Sequence, residues 1–143
     1  MDCVDGTCAI PVRPTVLSVT PSNCTTSGGC VVTIKGYYFG NKATVYFLDA
    51  ICTRSSGQYV SDQQIVCTVP AGIGRNVPVR VDSVVTGTGV ANSSVFSYLP
   101  PVITSAVAPT KLTSGGGIVT ITGRNFGAST LNVTVTFGSF VCV

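Results

Sequence analysis

The sequence predicts an all-β fold of two tandem β-sandwich modules, the second of them incomplete. A stretch that begins at Thr26, TSGGCVVTIKGYYFG, returns at Thr113 as TSGGGIVTITGRNFG. The two copies are 87 residues apart, as from Gly36 to Gly123, which is the length of a domain rather than of a solenoid repeat. The apolar residues fall in short Val- and Thr-rich segments that alternate with polar residues, a pattern typical of strands.

This spacing sets the expected domain boundaries. Residues 13–100 have room for one full module, and residues 101–143 match only the front half of a second. Residues 1–12 form a tail, which we interpret as the end of a preceding cysteine-rich module. The chain is therefore expected to be a segment of a longer protein.

Charge and hydropathy exclude two classes of partner. The 143 residues carry eight Lys and Arg, five acidic residues and a net charge of +3, with no basic run. Because nucleic acid binding needs a basic stripe that neutralises phosphates, no nucleic acid partner is expected. Mean hydropathy is +0.51, but no apolar run approaches the ~18 residues that span a bilayer, so no membrane-spanning segment is expected.

The residue types also argue against catalysis. The chain has no His, the usual base of a nucleophilic triad. Asp49 and Asp62 could approach each other as a carboxylate pair, but solvated loop charges explain them equally well. The D-x-D-x-D spacing of a calcium loop is absent. We therefore expect no catalytic residue, no metal site and no cofactor.

Cysteines and sequons together indicate the secretory pathway and an extracellular or cell-surface location. The chain has seven cysteines and three Asn-x-Ser/Thr sequons, at Asn23, Asn92 and Asn132, each a candidate N-glycosylation site. In the tail, Cys3 and Cys8 enclose an Asp-Gly turn signal, so a local disulfide is expected there. A metal site at this pair would need further ligands, and none lies nearby in the sequence.

The first module opens with a strand over residues 14–21, bounded by prolines. Cys24 and Cys30 flank the turn residues that follow and are expected to close a short loop. The next strand alternates, with Ile34 directed inward and Lys35 marking the solvent face.

The middle of the module alternates again over residues 43–48 and 64–70. Cys52 and Cys67 then fall in adjacent segments and are expected to pair. In the chain-entropy model, closing their loop of about 16 residues contributes about 3 kcal/mol.

The end of the module is a strand over residues 77–82, whose alternation directs Val79 inward, and Pro78 places its start at a sheet edge. The Thr-Gly-Thr-Gly run at 86–89 predicts a turn, and residues 92–98 predict the closing strand. The Pro100–Pro101 pair makes a short, stiff junction to the next module.

The second copy repeats the strands at 102–107, 118–122 and 131–137. In the third of these, Asn132 lies on the face opposite the apolar residues, where a glycan would point to solvent. Cys142 aligns with Cys52, whose partner would have its equivalent past the end of the chain. Cys142 is thus expected to be unpaired within this chain, with its partner either farther along or in another molecule, and a free reactive thiol is the alternative.

The order of these motifs resembles the IPT/TIG family of immunoglobulin-like domains, found in plexins and in certain transcription factors. The matching features are Pro-x-Val-x-x-Val-x-Pro at 14–21, Ser-Gly-Gly at 27–29, Val-Thr-Ile-x-Gly at 32–36 and Ile-Val-Cys-Thr-Val-Pro at 65–70. The resemblance implies an immunoglobulin-like β-sandwich with no family-wide catalytic residues. The cysteine pattern resembles the extracellular tandem-repeat branch.

Two functions fit these observations. The first is a non-catalytic extracellular module for protein–protein recognition or cell adhesion within a longer surface protein. The alternative is a structural subunit of an extracellular glycosylated filament or surface coat, in which another chain supplies strands to the second sandwich. The expected partners are a protein or a further copy of the chain, together with N-linked glycans.

Overall fold

The computed structural model describes residues 2–4, 7–9, 12–54, 61–84, 86–90, 95–108, 114–128 and 133–142, with the side chains of 2–4, 7–9 and 90 left out of the description. The described residues form strands and no helix, which confirms the all-β prediction. They accordingly contain no helix of the length and apolarity that crossing a membrane requires.

The tail forms a hairpin. Strands β1 (Asp2–Val4) and β2 (Thr7–Ala9) pair antiparallel, and the backbone of Cys3 lies directly opposite that of Cys8. The sulfur atoms of this pair lie outside the described residues, so the disulfide there stays a prediction.

The described residues of the first module form nine strands in chain order: β3 (Thr15–Thr20), β4 (Asn23–Cys24), β5 (Val31–Tyr37), β6 (Ala43–Phe47), β7 (Ala50–Ile51), β8 (Gln64–Thr68), β9 (Val79–Ser83), β10 (Gly87–Val90) and β11 (Ser97–Tyr98). They form a three-stranded antiparallel sheet, β3-β5-β8, and a four-stranded antiparallel sheet, β10-β9-β6-β7. Strands β4 and β11 add a short parallel pair.

The core lies between the two sheets. Ile34 and Val79, which the alternation directs inward, are fully buried there, as are Val32 and Phe47. Each fully buried Val, Ile or Phe contributes about 1.5–3 kcal/mol through removal of apolar area from water. The ring of Phe96 packs edge-on against Phe47, with centroids 4.6 Å apart. This layer is what the alternating sequence pattern predicts.

Three details of the first module differ from the prediction. The described part of the predicted closing strand is a strand only at Ser97–Tyr98. Of residues 86–89 only Thr86 lies in a turn, because Gly87–Val90 pairs with β9 as strand β10. Gly89 permits this, since a Cβ there would collide with the backbone of Pro14. Strand β9 begins at Val79 and lies inside its sheet, so Pro78 precedes the strand rather than marking an edge.

The second module repeats strands of the first. Its strands are β12 (Val102–Val107), β13 (Thr120–Arg124), β14 (Thr136–Phe137) and β15 (Phe140–Val141). Strands β12 and β13 pair with a bulge between Ile103 and Ser105, which matches the bulge between Val16 and Ser18 in β3. Strand β13 begins two residues later than predicted, and the described part of the third segment is a strand only at Thr136–Phe137.

Candidate functional site

A pair of adjacent tyrosines lies exposed at the end of β5. Tyr37 is 47% exposed and Tyr38 is 46% exposed, and their ring centroids are 6.2 Å apart. Leu17, the bulged residue of the neighbouring strand β3, is also exposed. We call these three residues, together with the exposed Lys35, the tyrosine surface. Exposed tyrosines offer a large rigid area with a polar end, which is typical of anchors in protein interfaces.

The backbone beneath Tyr38 is held in the left-handed region, with φ at 63°. The hydroxyl of Thr86 donates a hydrogen bond of 2.6 Å to the Tyr38 carbonyl. The amide of Phe39 donates to the Asp62 carbonyl at 3.0 Å, and the amide of Gly40 donates to the Asp62 carboxylate at 3.1 Å. A bulky residue in this conformation costs about 1–3 kcal/mol, and such residues cluster at functional sites.

Phe39 explains why the tyrosines face outward. Its ring is fully buried in the core, whereas the two preceding side chains are exposed to solvent, so Phe39 anchors the segment that carries them. Gly36 lies beside this ring, and a Cβ there would collide with both the Phe39 ring and the Thr15 carbonyl. The tyrosine surface is therefore built on a rigid part of the core rather than on a loose loop.

A second feature is a groove of about 860 Å³ where the two modules meet, which we call the junction groove. It is lined by residues within 22–26, 73–75 and 97–101, and by Asn125, Phe126 and Val133 of the second module. The amide of Ser97 donates to the Ser22 carbonyl at 3.0 Å, and the amide of Leu99 donates to the Cys24 carbonyl at 2.8 Å. These bonds fix the first-module wall of the groove.

Tyr98 closes the inner end of that wall. Its hydroxyl donates to the Pro70 carbonyl at 2.8 Å, and its ring packs edge-on against Phe96, with centroids 5.3 Å apart. A Cβ at Gly72 would collide with the Tyr98 ring, so glycine is needed there. Burial raises the pKa of the Tyr98 phenol above its ordinary value, which keeps the hydroxyl a neutral donor.

The remaining walls come from a loop and from the second module. In the loop, the amide of Asn76 donates to the Ser97 hydroxyl at 2.9 Å, and Arg75 is exposed at the rim. Across the junction, the side-chain amide of Asn125 donates to the Pro100 carbonyl at 3.2 Å. This bond joins the second module to the end of the first.

The structure places four of the predicted disulfide cysteines in two bridges. The sulfur atoms of Cys24 and Cys30 are 1.97 Å apart, and those of Cys52 and Cys67 are 2.12 Å apart. The second bridge lies inside the sandwich core, whereas the first ties β4 to the start of β5. Cys142 is exposed with a free thiol.

Of the three sequons, one is within the described residues. Asn23 is exposed and lines the junction groove. Asn92 and Asn132 lie outside the described residues, and their glycosylation stays a prediction.

The two aspartates that could have formed a catalytic pair have separate surroundings. Asp62 accepts the hydrogen bond from Gly40, and Asp49 is exposed in the turn between β6 and β7. Within the described ranges, no three His, Cys, Asp or Glu residues are grouped as metal ligands would be.

Sequence reasoning did not identify the tyrosine surface or the junction groove. A signal for the first was present, because Tyr38 aligns with Asn125, whose φ of 59° is one that Asn tolerates better than Tyr. The groove had no local signal, because it depends on how the two modules are placed.

Comparison with known proteins gives a family match over both copies. The model of the IPT/TIG domain matches residues 14–98 and again residues 101–143. Plexin-A2 of Mus musculus is 35% identical over 117 residues, which is 80% of this chain and 6% of that plexin. The chain therefore spans a small part of the curated relative that it matches.

Two solved structures are similar in fold. The full extracellular region of plexin A4 has a TM-score of 0.50 and 26% identity, over 92% of this chain and 14% of that one. A crystal structure with a xylogluco-oligosaccharide has a TM-score of 0.50 and 21% identity, over 80% of this chain and 26% of that one. At that identity the second likeness concerns the fold alone.

Proposed function

The chain belongs to the IPT/TIG domain family, and we propose that it is a non-catalytic module for protein–protein recognition or cell adhesion in an extracellular protein. The similarity to a plexin extracellular region supports this assignment. We further propose that residues 13–100 form one complete module and residues 101–143 the front half of a second, as the two family matches suggest.

The observation that carries the proposal is the tyrosine surface. Tyr37 and Tyr38 expose nearly half of their area, and the backbone at Tyr38 is strained. The other copy has Arg124 and Asn125 at the same two positions, so the fold does not require aromatic residues there. Tyrosine anchors of this kind contribute strongly to binding a partner protein.

The test uses the secreted chain, biotinylated, displayed as tetramers on streptavidin and titrated on intact cells. We expect saturable binding that is lost when the cells are first treated with trypsin, because the partner is a protein. Tyr37→Ala and Tyr38→Asn should each weaken binding about tenfold or more, since truncating a central tyrosine costs about 2 kcal/mol.

Tyr46→Ala is the matched control. Tyr46 also faces outward, but on the other sheet, where the Arg80 guanidinium lies 4.3 Å from its ring centroid. This variant should bind as the wild type does. Saturable binding that all three variants weaken equally, or an absence of saturable binding, would refute recognition through the tyrosine surface.

The extracellular location has its own test. The two bridges in the core and at β4 support an oxidising compartment. Peptide mapping of natively secreted protein without reduction should show Cys24 linked to Cys30 and Cys52 linked to Cys67. Glycosidase treatment of the same material should lower its mass, and an unchanged mass would contradict N-glycosylation.

A structural filament or surface-coat subunit is the second candidate. The observation that favours it is an exposed apolar face on the second module, where Ile103 is 60% and Phe140 is 79% exposed. A second copy that covers this face would extend the assembly. Electron microscopy of natively purified material separates the two: ordered filaments favour the structural role, and isolated rods favour recognition.

A further inference from the structure

Asn23 combines two properties, since it is the acceptor of a sequon and it lines the junction groove. Its side chain is exposed, whereas the next residue, Cys24, is buried and bridged to Cys30. Thr25, which completes the sequon, is exposed, with its hydroxyl 2.9 Å from that of Ser27. A sugar attached at Asn23 therefore starts at the lip of a groove and not on a convex surface.

We infer that an N-linked glycan on Asn23 packs into the junction groove and braces the two modules against each other. This inference rests on the extracellular location in the proposed function. In the attachment step, the Asn23 Nδ2 bonds to C1 of the first N-acetylglucosamine of a lipid-diphosphate-linked oligosaccharide. The C1–O bond to the diphosphate breaks, the lipid diphosphate leaves with the electron pair, and the amide nitrogen loses one proton.

The lining of the groove suits a sugar. Leu99, Pro100 and Pro101 present C–H surfaces on which the apolar face of a pyranose ring packs. The guanidinium of Arg75 and the side-chain oxygen of Asn125 offer polar partners for hydroxyl and acetamido groups. Among the described residues that line the groove none is acidic, and its volume of about 860 Å³ is within the range of small-ligand sites.

Because the glycan is covalently attached at Asn23, weak contacts are enough to keep it in the junction groove. A tethered group has an effective concentration of about a millimolar or more at a site it can reach. The walls belong to both modules, with Leu99 on one side and Phe126 on the other. A glycan that contacts both walls restricts the junction in addition to the hydrogen bond between Asn125 and Pro100.

The proposed glycan contact is specific to this junction. The position that corresponds to Asn23 in the second copy is Thr110, 87 residues later, and no sequon stands there. The inference therefore concerns one sequon and predicts different behaviour from the other two.

The test compares the full secreted chain with Asn23→Gln, with Thr25→Ala, which removes the sequon but keeps Asn23, and with the control Asn92→Gln. Mass spectrometry of glycopeptides measures occupancy. Peptide N-glycosidase should then release the Asn23 glycan from native protein about tenfold more slowly than the Asn92 glycan, as a contact of about 1.4 kcal/mol predicts. After denaturation the two rates should be equal.

Hydroxyl-radical footprinting gives a second readout. Leu99 and Phe126 should be protected in the wild type and in Asn92→Gln, and the protection should be lost in Asn23→Gln and Thr25→Ala. A glycan that occupies Asn23 but leaves at the Asn92 rate, with Leu99 equally oxidised in all variants, would overturn the inference and leave the extracellular assignment intact. Secreted protein in which Asn92 is occupied and Asn23 is not would also overturn the inference alone. No occupied sequon at all would count against the proposed function.

Discussion

The two copies have the same strand pairing and differ in how far their side chains are buried. Val19 pairs with Ile34 in the first copy, and Ala106 pairs with Ile121 in the second, each pair following the same bulge. The burial is very different, since Phe47 is 1% exposed and its counterpart Phe137 is 47% exposed. The two copies thus form the same strand pairing, although residues that are buried in the first copy are exposed in the second.

The turns repeat as faithfully as the strands. Positive φ angles recur in five matched pairs: Gly28 and Gly115, Gly29 and Gly116, Tyr38 and Asn125, Gly40 and Gly127, Leu48 and Gly138. Three pairs keep glycine, and in the other two the second copy has the residue that tolerates this conformation better. Turn geometry is therefore a local property, since it is the same in the buried first copy and the exposed second copy.

The largest effect is expected from a charge placed in strand β9, which has no counterpart among the described residues of the second copy. Val79 is 0% exposed in β9, so Val79→Asp places an unpaired carboxylate in the core and should unfold the first module. Circular dichroism during urea denaturation measures this. Val84→Asp, at a site that is 78% exposed, should fold normally. A cooperative transition for Val79→Asp at the wild-type urea concentration would mean that the strand faces are wrongly assigned.

The next effect is a direct comparison of matched phenylalanines. Phe47→Ala should lower the free energy of unfolding by about 3–5 kcal/mol, because it leaves a cavity beside Phe96. Phe137→Ala should change it by less than about 0.5 kcal/mol, since the ring is half exposed. Urea denaturation of both variants measures the two changes. Similar losses in the free energy of unfolding would show that the Phe137 ring is buried in solution.

A smaller effect is expected at matched glycines. Gly28 and Gly115 both have positive φ, so an alanine at either position costs about 1–2 kcal/mol. At Gly28 the added Cβ also collides with the backbone of Pro70, whereas at Gly115 nothing lies within 4 Å. Gly28→Ala should therefore shift the melting temperature clearly more than Gly115→Ala. Equal shifts in melting temperature would show that the collision with Pro70 does not contribute to the cost at Gly28.

The smallest effect should be a gain in stability. Tyr38→Asn gives the first copy the residue that the second has at Asn125, and should raise the free energy of unfolding by about 1 kcal/mol as the strain at φ 63° is relieved. Asn125→Tyr should lower the melting temperature instead. Calorimetry checks both. A Tyr38→Asn variant that is more stable but binds cells less well would separate the binding role of Tyr38 from any role in folding. A less stable variant would contradict the claim that the backbone at Tyr38 is strained.

Most strands and their faces could be predicted, because alternation with period two is a local property of the sequence. Val79 and Ile34 were placed inward for that reason and are fully buried. Residues 87–89 were wrongly assigned to a turn, since their two glycines suggest a turn in isolation. Their strand forms because β9 offers a pairing edge and Gly89 lets β10 lie against Pro14.

The candidate sites were less predictable, because they arise from contacts between distant segments. The parallel pair of β4 and β11 joins residues more than 70 apart in sequence, as from Asn23 to Ser97. The junction groove depends on that pair and on the placement of Asn125 against Pro100. Tyr38 could have been found from the copy alignment, but its exposure depends on the burial of Phe39.

The short connection between the modules has a mechanical consequence. Leu99, Pro100 and Pro101 are the residues between β11 and β12, and three residues span at most about 11 Å, so the connection has little slack. Tension applied along the chain reaches Leu99, whose amide is bonded to Cys24, and Cys24 is covalently linked to Cys30. Cys30 directly precedes β5, the middle strand of its sheet. A pulling force at Leu99 thus reaches the middle strand of that sheet through a hydrogen bond and a disulfide, in addition to the backbone path through β11.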